Sequence, residues 1–393
     1  MKKVPRLRFR GFSEDWELCK LGTLAEIVRG ASPRPIQDSK WFDNTSDVGW
    51  LRISDVTEQN GRIYKLEQKL SKAGQEKTRV LRKPHLLLSI AATVGKPVVN
   101  YVNTGVHDGF LIFLNPLFDR EFMFQWLEMF TPKWQKYGQP GSQLNLNSEL
   151  VRNQELRMPS TNEQEKIGML FQYLDDTITL HQRKLDQLKE LKKAYLQLMF
   201  PKKDETVPRV RFADFEDDWQ LCKLGETFSI IMGQSPNSEN YTENPDDYIL
   251  VQGNSDMKNN KVVPRIWTTQ VTKKAEKGDL ILSVRAPVGE IGKTDYNVVL
   301  GRGVAAVKGN DFIFQQLRKM KDSGYWTRYS TGSTFESINS NDIKEALINI
   351  PNKDEQQKIG DLFTHLDDAI ILNQNKLNQL KSLKKSYLQN MFI

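Results

Sequence analysis

The sequence predicts an α+β protein with an internal pseudo-two-fold repeat, in which two mixed α/β domains alternate with two long coiled-coil helices. Three observations carry this reading. Residues 159–200 recur at 351–392 with a constant offset of 192, no gap and 27 of 42 positions identical. Residues 4–22 recur at 207–225 with 13 of 19 positions identical, but at an offset of 203. Between these repeats lie 23–158 and 226–350, which are far less alike yet share landmarks in the same order. A repeat this close constrains the architecture before any single motif does.

The longer repeat has the spacing of a helix. Apolar residues fall four and three apart at Ile167, Phe171, Leu174, Ile178, Leu185, Leu188, Tyr195 and Met199. The second copy gives Ile359, Phe363, Leu366, Ile370, Leu377, Leu380, Tyr387 and Met391. This is a heptad seam, the pattern of a coiled coil. Leu180, Leu191, Leu372 and Leu383 widen the stripe toward a second surface. Neither copy has an interior proline. A helix of about 38 residues spans roughly 57 Å. Thr161 and Gln164 fit a capping box; the second copy has Lys353 in place of Thr161, which moves its cap to Asn352 or Asp354. His181 and its equivalent Asn373 are polar seam positions, read either as fixing register or as marking a solvated point.

The shorter repeat opens with Val-Pro and R-x-R-F, which reads as an extended arm, and continues to Trp16 and Trp219 as core anchors. The second arm follows the first helix through the linker 201–206, and Ile393 with residues 1–3 would make a link of similar length from Phe392 back to Val4. The order is therefore circular: arm, variable region, helix, arm, variable region, helix. This arrangement predicts adjacent termini and a pseudo-two-fold axis.

The variable regions keep a common frame. Ala31-Ser32-Pro33 matches Gln234-Ser235-Pro236, and LLLSIAATVGKP (86–97) matches LILSVRAPVGEI (280–291) as a strand ending in a glycine turn. FMFQWLEMF (122–130) matches FIFQQLRKM (312–320) as an aromatic helix. Gly141-Ser142 and Gly332-Ser333 stand at matching places, and Asn147-Ser148 and Asn339-Ser340 read as caps. Each region reads as one domain of about 130 residues with the same fold and a different surface.

Net charge is +7, which permits nucleic-acid binding without requiring it. Residues 23–158 hold 18 Lys/Arg against 14 Asp/Glu, whereas 226–350 hold 15 of each, so a DNA face there requires segregated charge. Cys19 and Cys222 are repeat equivalents and read as small apolar residues of a reducing compartment. There is no run of 18 apolar residues and no apolar N-terminal signal, so a cytoplasmic chain with no membrane partner is expected. No phosphate-binding loop, dinucleotide fingerprint or metal-ligand spacing occurs; Asn115-Pro116-Leu117-Phe118 is one substitution from an amino-methyltransferase signature but lacks a cofactor loop. His85, His107, His181 and His365 form no ligand set in sequence. No catalytic residue, metal site or cofactor is expected in the chain.

Two variable modules between near-identical helices, without catalytic motifs, resemble the specificity (S) subunit of type I restriction-modification enzymes. The marks are F-x-x-x-W-x-L-C-K-L-G at Phe12 and Phe215, P-x-x-x-E-Q-x-K-I-G followed by L-D-D at Pro159 and Pro351, and S-[IV]-x-[AP]-x-V-G at Ser89 and Ser283. The resemblance covers essentially the whole chain. It implies an N-terminal arm (1–22), target recognition domain 1 (23–158), a central helix and linker (159–206), a second arm (207–225), target recognition domain 2 (226–350) and a C-terminal helix (351–393). It also implies that the two helices pack antiparallel as a spacer, and that each domain reads one half of a split double-stranded DNA target. Two modification subunits using S-adenosylmethionine, and two restriction subunits using ATP and Mg, are the implied partners. The alternative is a coiled-coil scaffold for other proteins that does not bind DNA.

Base readout needs Arg, Lys, Asn and Gln near groove edges, with Ser and backbone N–H on phosphates. The candidates in the first domain are Arg29, Ser32, Arg34, Lys96, Ser142, Gln143 and Asn145. In the second they are Gln234, Ser235, Asn237, Arg285, Lys293, Arg302, Ser333 and Thr334. The helix-packing candidates are Ile167, Phe171, Leu174, Ile178, Leu185 and Leu188, with Ile359, Phe363, Leu366, Ile370, Leu377 and Leu380. Replacing Leu185 and Leu377 together by Asp is expected to impair subunit assembly before it alters sequence choice, as read by co-purification of partner subunits and mapping of modified sites.

Overall fold

The computed structural model describes residues 3–137, 146–202, 205–329 and 336–393. The chain forms two compact units, Met1–Leu180 with Leu377–Ile393, and His181–Lys376. The first long helix, Thr161–Leu198, begins in the first unit and ends in the second; the other, Lys353–Met391, does the reverse. Folding-unit boundaries thus fall inside the helices, because each helix packs against different partners along its length. No helix is long and apolar enough to cross a membrane among the described residues.

Within each unit the helices run antiparallel. In the first, Lys384 meets Asp175 at 2.6 Å, and further along Phe392 lies 5.7 Å from Phe171. In the second, His181 faces Asn373 at 3.4 Å, Lys192 meets Asp367 at 2.6 Å, and Phe200 lies 6.0 Å from Phe363. The two polar seam residues are therefore each other's partners. Ile167, Phe171, Leu174, Leu185, Ile359, Phe363, Leu377 and Leu380 are buried, while Ile178, Leu188, Leu366 and Ile370 are half-buried. Leu180 and Leu372, at repeat-equivalent positions, are 66% and 70% exposed.

The arms are irregular and not extended strands. Alternation in R-x-R-F has another cause: Arg8 forms a bidentate pair with Glu163 at 2.7 and 2.8 Å, and Arg211 does the same with Glu355 at 2.8 Å. Leu7 N–H donates to the Asn390 carbonyl, and Val210 N–H to that of Leu198. The first arm thus docks on the end of the second helix as the second arm docks on the end of the first, which brings the two termini together. Trp16 and Trp219 are 1% and 2% exposed and pack on Phe122 and Phe312. The regular strands come next, with Glu17–Lys20 pairing antiparallel to Glu155–Met158, and Gln220–Lys223 to Leu347–Ile350. Cys19 and Cys222 lie half-buried on them.

The expected Thr161–Gln164 capping box is not what Gln164 forms. Its amide donates to the Pro159 carbonyl and accepts from Asp119 N–H, which joins the helix start to the aromatic helix. Gln356 repeats the bond to Pro351 and accepts from the Asn310 side-chain amide in place of a backbone N–H. Asn352 caps the second helix by accepting from Glu355 N–H, and Asn147 and Asn339 cap short helices at Ser148–Arg152 and Ser340–Lys344.

In the first unit a five-stranded sheet runs Glu26–Arg29, Phe110–Leu114, Leu86–Ser89, Pro97–Asn100, Arg62–Ile63, with only the last pair parallel. A three-stranded sheet places Thr104–Val106 between Gly49–Leu51 and Arg79–Leu81. The second unit repeats the frame in a six-stranded sheet whose centre is Val304–Val307, Leu280–Ser283 and Ile291–Lys293, and a five-stranded sheet containing Tyr248–Val251 and Val298–Leu300. Strands Leu86–Ser89 and Leu280–Ser283 are buried throughout, as continuous apolar runs in a sheet covered on both faces should be. Each is followed by a positive-φ glycine, Gly95 (+83°) and Gly289 (+85°), where a Cβ would lie 2.8 Å from Trp134 and 2.5 Å from Trp326. Only glycine satisfies both the backbone and the packing there.

The aromatic helices Arg120–Trp134 and Asp311–Asp322 seat each module on the long helices through unlike charges. In the first unit Lys384 bridges Asp175 and Glu128 at 2.6 and 2.7 Å, while Arg62 pairs with Glu121 and Asp175. Burial opposes the Lys384 charge, but Glu128 and Asp175 outweigh it and raise its pKa. In the second unit Arg318 takes the place of Glu128, beside Lys192 and Asp367. Burial, then Arg318, pushes Lys192 down to about 8. Glu128→Arg is expected to lower stability by about 2 kcal/mol, between the values for exposed and fully buried pairs, in a denaturant titration.

Candidate nucleic-acid interface

Each module gathers three loops at one sheet end. The turn after the first sheet strand lies against the turn of residues 107–109 or 301–303, which leads from a strand of one sheet (Thr104–Val106 or Val298–Leu300) to a strand of the other (Phe110–Leu114 or Val304–Val307). The approach is closest at glycine: a Cβ on Gly30 would stand 2.1 Å from the His107 carbonyl, and one on Gly233 would stand 2.0 Å from that of Gly301. Backbone bonds fix both contacts, Ala31 N–H to Val106 and Gln234 N–H to Leu300. The same serine then reaches across. Ser32 Oγ accepts from Asp108 N–H at 3.2 Å, and Ser235 Oγ accepts from Arg302 N–H at 3.0 Å. The third loop follows the buried strand, where Ser89 donates to the Ala91 carbonyl and Ser283 to that of Arg285.

In the first module Asp108 collects the candidates. Its carboxylate accepts from Ser32 at 2.8 Å and Arg34 at 2.7 Å, and its carbonyl accepts from Arg29 at 2.5 Å. Burial works against this carboxylate, but the Ser32 hydroxyl and the Arg34, His107 and Arg29 charges outweigh it and hold its pKa below the usual range. No hydrogen bond or ion pair joins Lys96 to this group among the described residues; Lys96 is half-buried beyond Gly95. An adjoining cleft of about 490 Å³ is walled by Trp50 and Phe42 and edged by Gln37, Asn44 and Gln68.

In the second module Ser235, Arg285 and Arg302 line one open cleft of about 620 Å³ with Tyr241, Gln252 and Asn254. Both arginines are exposed, and neither has an ion-pair partner among the described residues. Gln234 is exposed beside Ser235, and its carbonyl accepts from Thr272. Asn237 sits apart, with its N–H on Gln270. Lys293 is drawn to Asp311 at 2.7 Å, at the aromatic helix, and does not join the cleft. Ser142, Gln143, Asn145, Ser333 and Thr334 lie outside the described residues.

Sequence reasoning missed Asp108, Tyr241, Gln252 and Asn254. Asp108 was findable: the H-D-G of 107–109 stands where the second module has G-R-G at 301–303, each ahead of a buried strand.

Two equivalent α/β modules, each built on the same three loops with the same anchoring serine, define a repeat-built protein. The family model for the type I restriction modification DNA specificity domain matches residues 13–190 and again 216–382, and the chain belongs to that family. Relatives of this chain are named specificity subunits of type I restriction enzymes. A putative type I restriction enzyme MjaX specificity subunit from Methanocaldococcus jannaschii is 26% identical over 258 residues, 63% of this chain and 60% of that protein. The chain therefore spans less than two thirds of that relative. The crystal structure of a type I restriction-modification S subunit from M. genitalium has a similar fold, with a TM-score of 0.69, 14% identity and 99% of both chains covered. A chain from a structure on assembly and conformational transition of the type I R-M system gives a TM-score of 0.53 at 21% identity, over 95% of this chain and 96% of that one.

His107 links this loop cluster to pH. Its Nδ1 accepts from Gly109 N–H at 2.8 Å, and its ring packs on Phe110 and Trp50. Burial, partly opposed by Asp108, lowers its pKa from 6.5. The folded state thus favours the neutral ring, so this contribution to stability is present above pH 6.5 and is lost as pH falls below it. Melting temperatures from pH 7.5 to 5.5 are expected to fall more for the native chain than for His107→Asn.

Proposed function

We propose that this chain reads a bipartite double-stranded DNA sequence, with residues 23–158 as one target recognition domain and 226–350 as the other. The arms 1–22 and 207–225 tie each domain to the helices, and the helical segments 159–206 and 351–393 set the gap between half-sites. The observation that carries this reading is the pair of equivalent loop clusters: the backbone frame and anchoring serine are the same, while the charges differ (Asp108 against Arg302). A common frame with unlike side chains is what two readers of unlike half-sites require.

A fixed spacer makes such a chain a ruler, since heads on one face of B-DNA match half-sites only near one turn of about 34–36 Å or its multiples. The exposed leucines at 180 and 372 offer each helix a second apolar contact, fitting two modification subunits related by the repeat. S-adenosylmethionine, ATP and Mg belong on this reading to those subunits and to two restriction subunits, and the assembly works in the cytoplasm.

Exchanging residues 226–350 for the corresponding segment of another family member tests the proposal. One half of the modified DNA motif is expected to change and the other to stay, as read by mapping N6-methyladenine with a matching modification subunit. A change in both halves would contradict two independent readers.

A further inference from the structure

The serine-anchored position is occupied by opposite charges in the two modules, and its neighbours differ too: the first module sets Arg29 and Arg34 against Asp108, whereas the second has Met232 and Asn237 there and carries Arg285 on the third loop. Arg302 has Asp108 as its counterpart, and Arg285 has Ala91. Both positions are rigidly placed. The residue 302 turn is held by Ser235 at 3.0 Å and pressed against the next loop, since a Cβ on Gly303 would lie 2.0 Å from the Gln252 carbonyl. Residue 108 is held by the matching bond from Ser32. A side chain with a fixed root at the tip of a sheet suits base-edge contact, whereas phosphate contact tolerates a mobile root.

Resting on the DNA-reading proposal above, we infer that residues 302 and 108 are equivalent base-reading positions whose charge selects the base. Arg302, with Arg285 beside it, offers only donors. Guanine presents two major-groove acceptors, N7 and O6, the match for a guanidinium fork. Asp108 offers acceptors. Its carboxylate has about four lone-pair sites, of which Ser32 and Arg34 take two. The remaining sites suit the exocyclic amino group of cytosine or adenine, the donors that bases show in that groove. The second module is thereby assigned a guanine and the first an amino-bearing base, in different half-sites.

The experiment maps N6-methyladenine motifs in cells that carry a matching modification subunit with the native chain, Arg302→Ala, Arg302→Gln or Asp108→Ala. Both Arg302 variants are expected to relax one guanine position in one half-site, with methylation at wrong-base sites rising on the order of ten-fold, and to leave the other half intact. Asp108→Ala is expected to relax one cytosine or adenine position in the other half-site. Arg302→Gln keeps a long polar side chain at an exposed position and so keeps the fold, but its amide matches adenine and not guanine, so it decides the matter where Arg302→Ala abolishes methylation. An unchanged motif in Arg302→Gln would make residue 302 a phosphate contact and overturn the inference. So would relaxation at a base other than guanine, or of the same half-site by variants of both modules. Absence of any split motif with the native chain would instead refute the DNA-reading proposal itself.

Discussion

The main core of each unit is closed by a phenylalanine at the end of the other repeat's long helix. Phe392 packs 5.3 Å from Phe122 and 5.7 Å from Phe171 in the first unit. Phe200 packs 5.3 Å from Phe312 and 6.0 Å from Trp219 in the second. A buried phenylalanine contributes about 3–5 kcal/mol by truncation, so neither core closes without the end of the other repeat's helix. The buried Glu163 and Glu355 add to this, each held by an arm arginine whose preceding residue, Leu7 or Val210, donates its backbone N–H to a helix end. The circular order of the sequence is the chain-level expression of that dependence.

Fixed framework and variable charge are separated in both modules. The backbone contacts at Gly30 and Gly233, the serine anchors and the bonds from Gln164 and Gln356 to the prolines at the helix starts are the same twice over. The charges hung on them are not: Glu128 has Arg318 as its repeat counterpart, and Asp108 has Arg302. The seat on the helices is thus tuned separately for each module, with Lys384 well paired and Lys192 left beside a second cation.

Most of the architecture was legible because it rests on local periodicity. The heptad seam gave the helices; LLLS and LILS gave buried strands; Asn147 and Asn339 gave caps. What was not legible depends on long-range partners. R-x-R-F looked like a strand because alternation is also what a side chain reaching to Glu163, 155 residues away, requires of its neighbours. Gln164 looked like a capping residue because nothing local reveals Asp119 as its partner. Asp108 was passed over because acidic residues are poor first guesses for a DNA face, and because Ser32 and Arg34 lie more than 70 residues from it in sequence. Lys293, a plausible DNA contact by charge, is held instead by Asp311.

The proposed ruler is tested most directly by lengthening it. Inserting one heptad at equivalent points of both long helices adds roughly 10 Å to the spacer, about three base pairs at 3.4 Å each. Methylation mapping with the matching modification subunit should then return both original half-sites with a gap longer by about three base pairs. Unchanged half-sites at the original gap would show that the helices do not set the spacing, and would contradict the account.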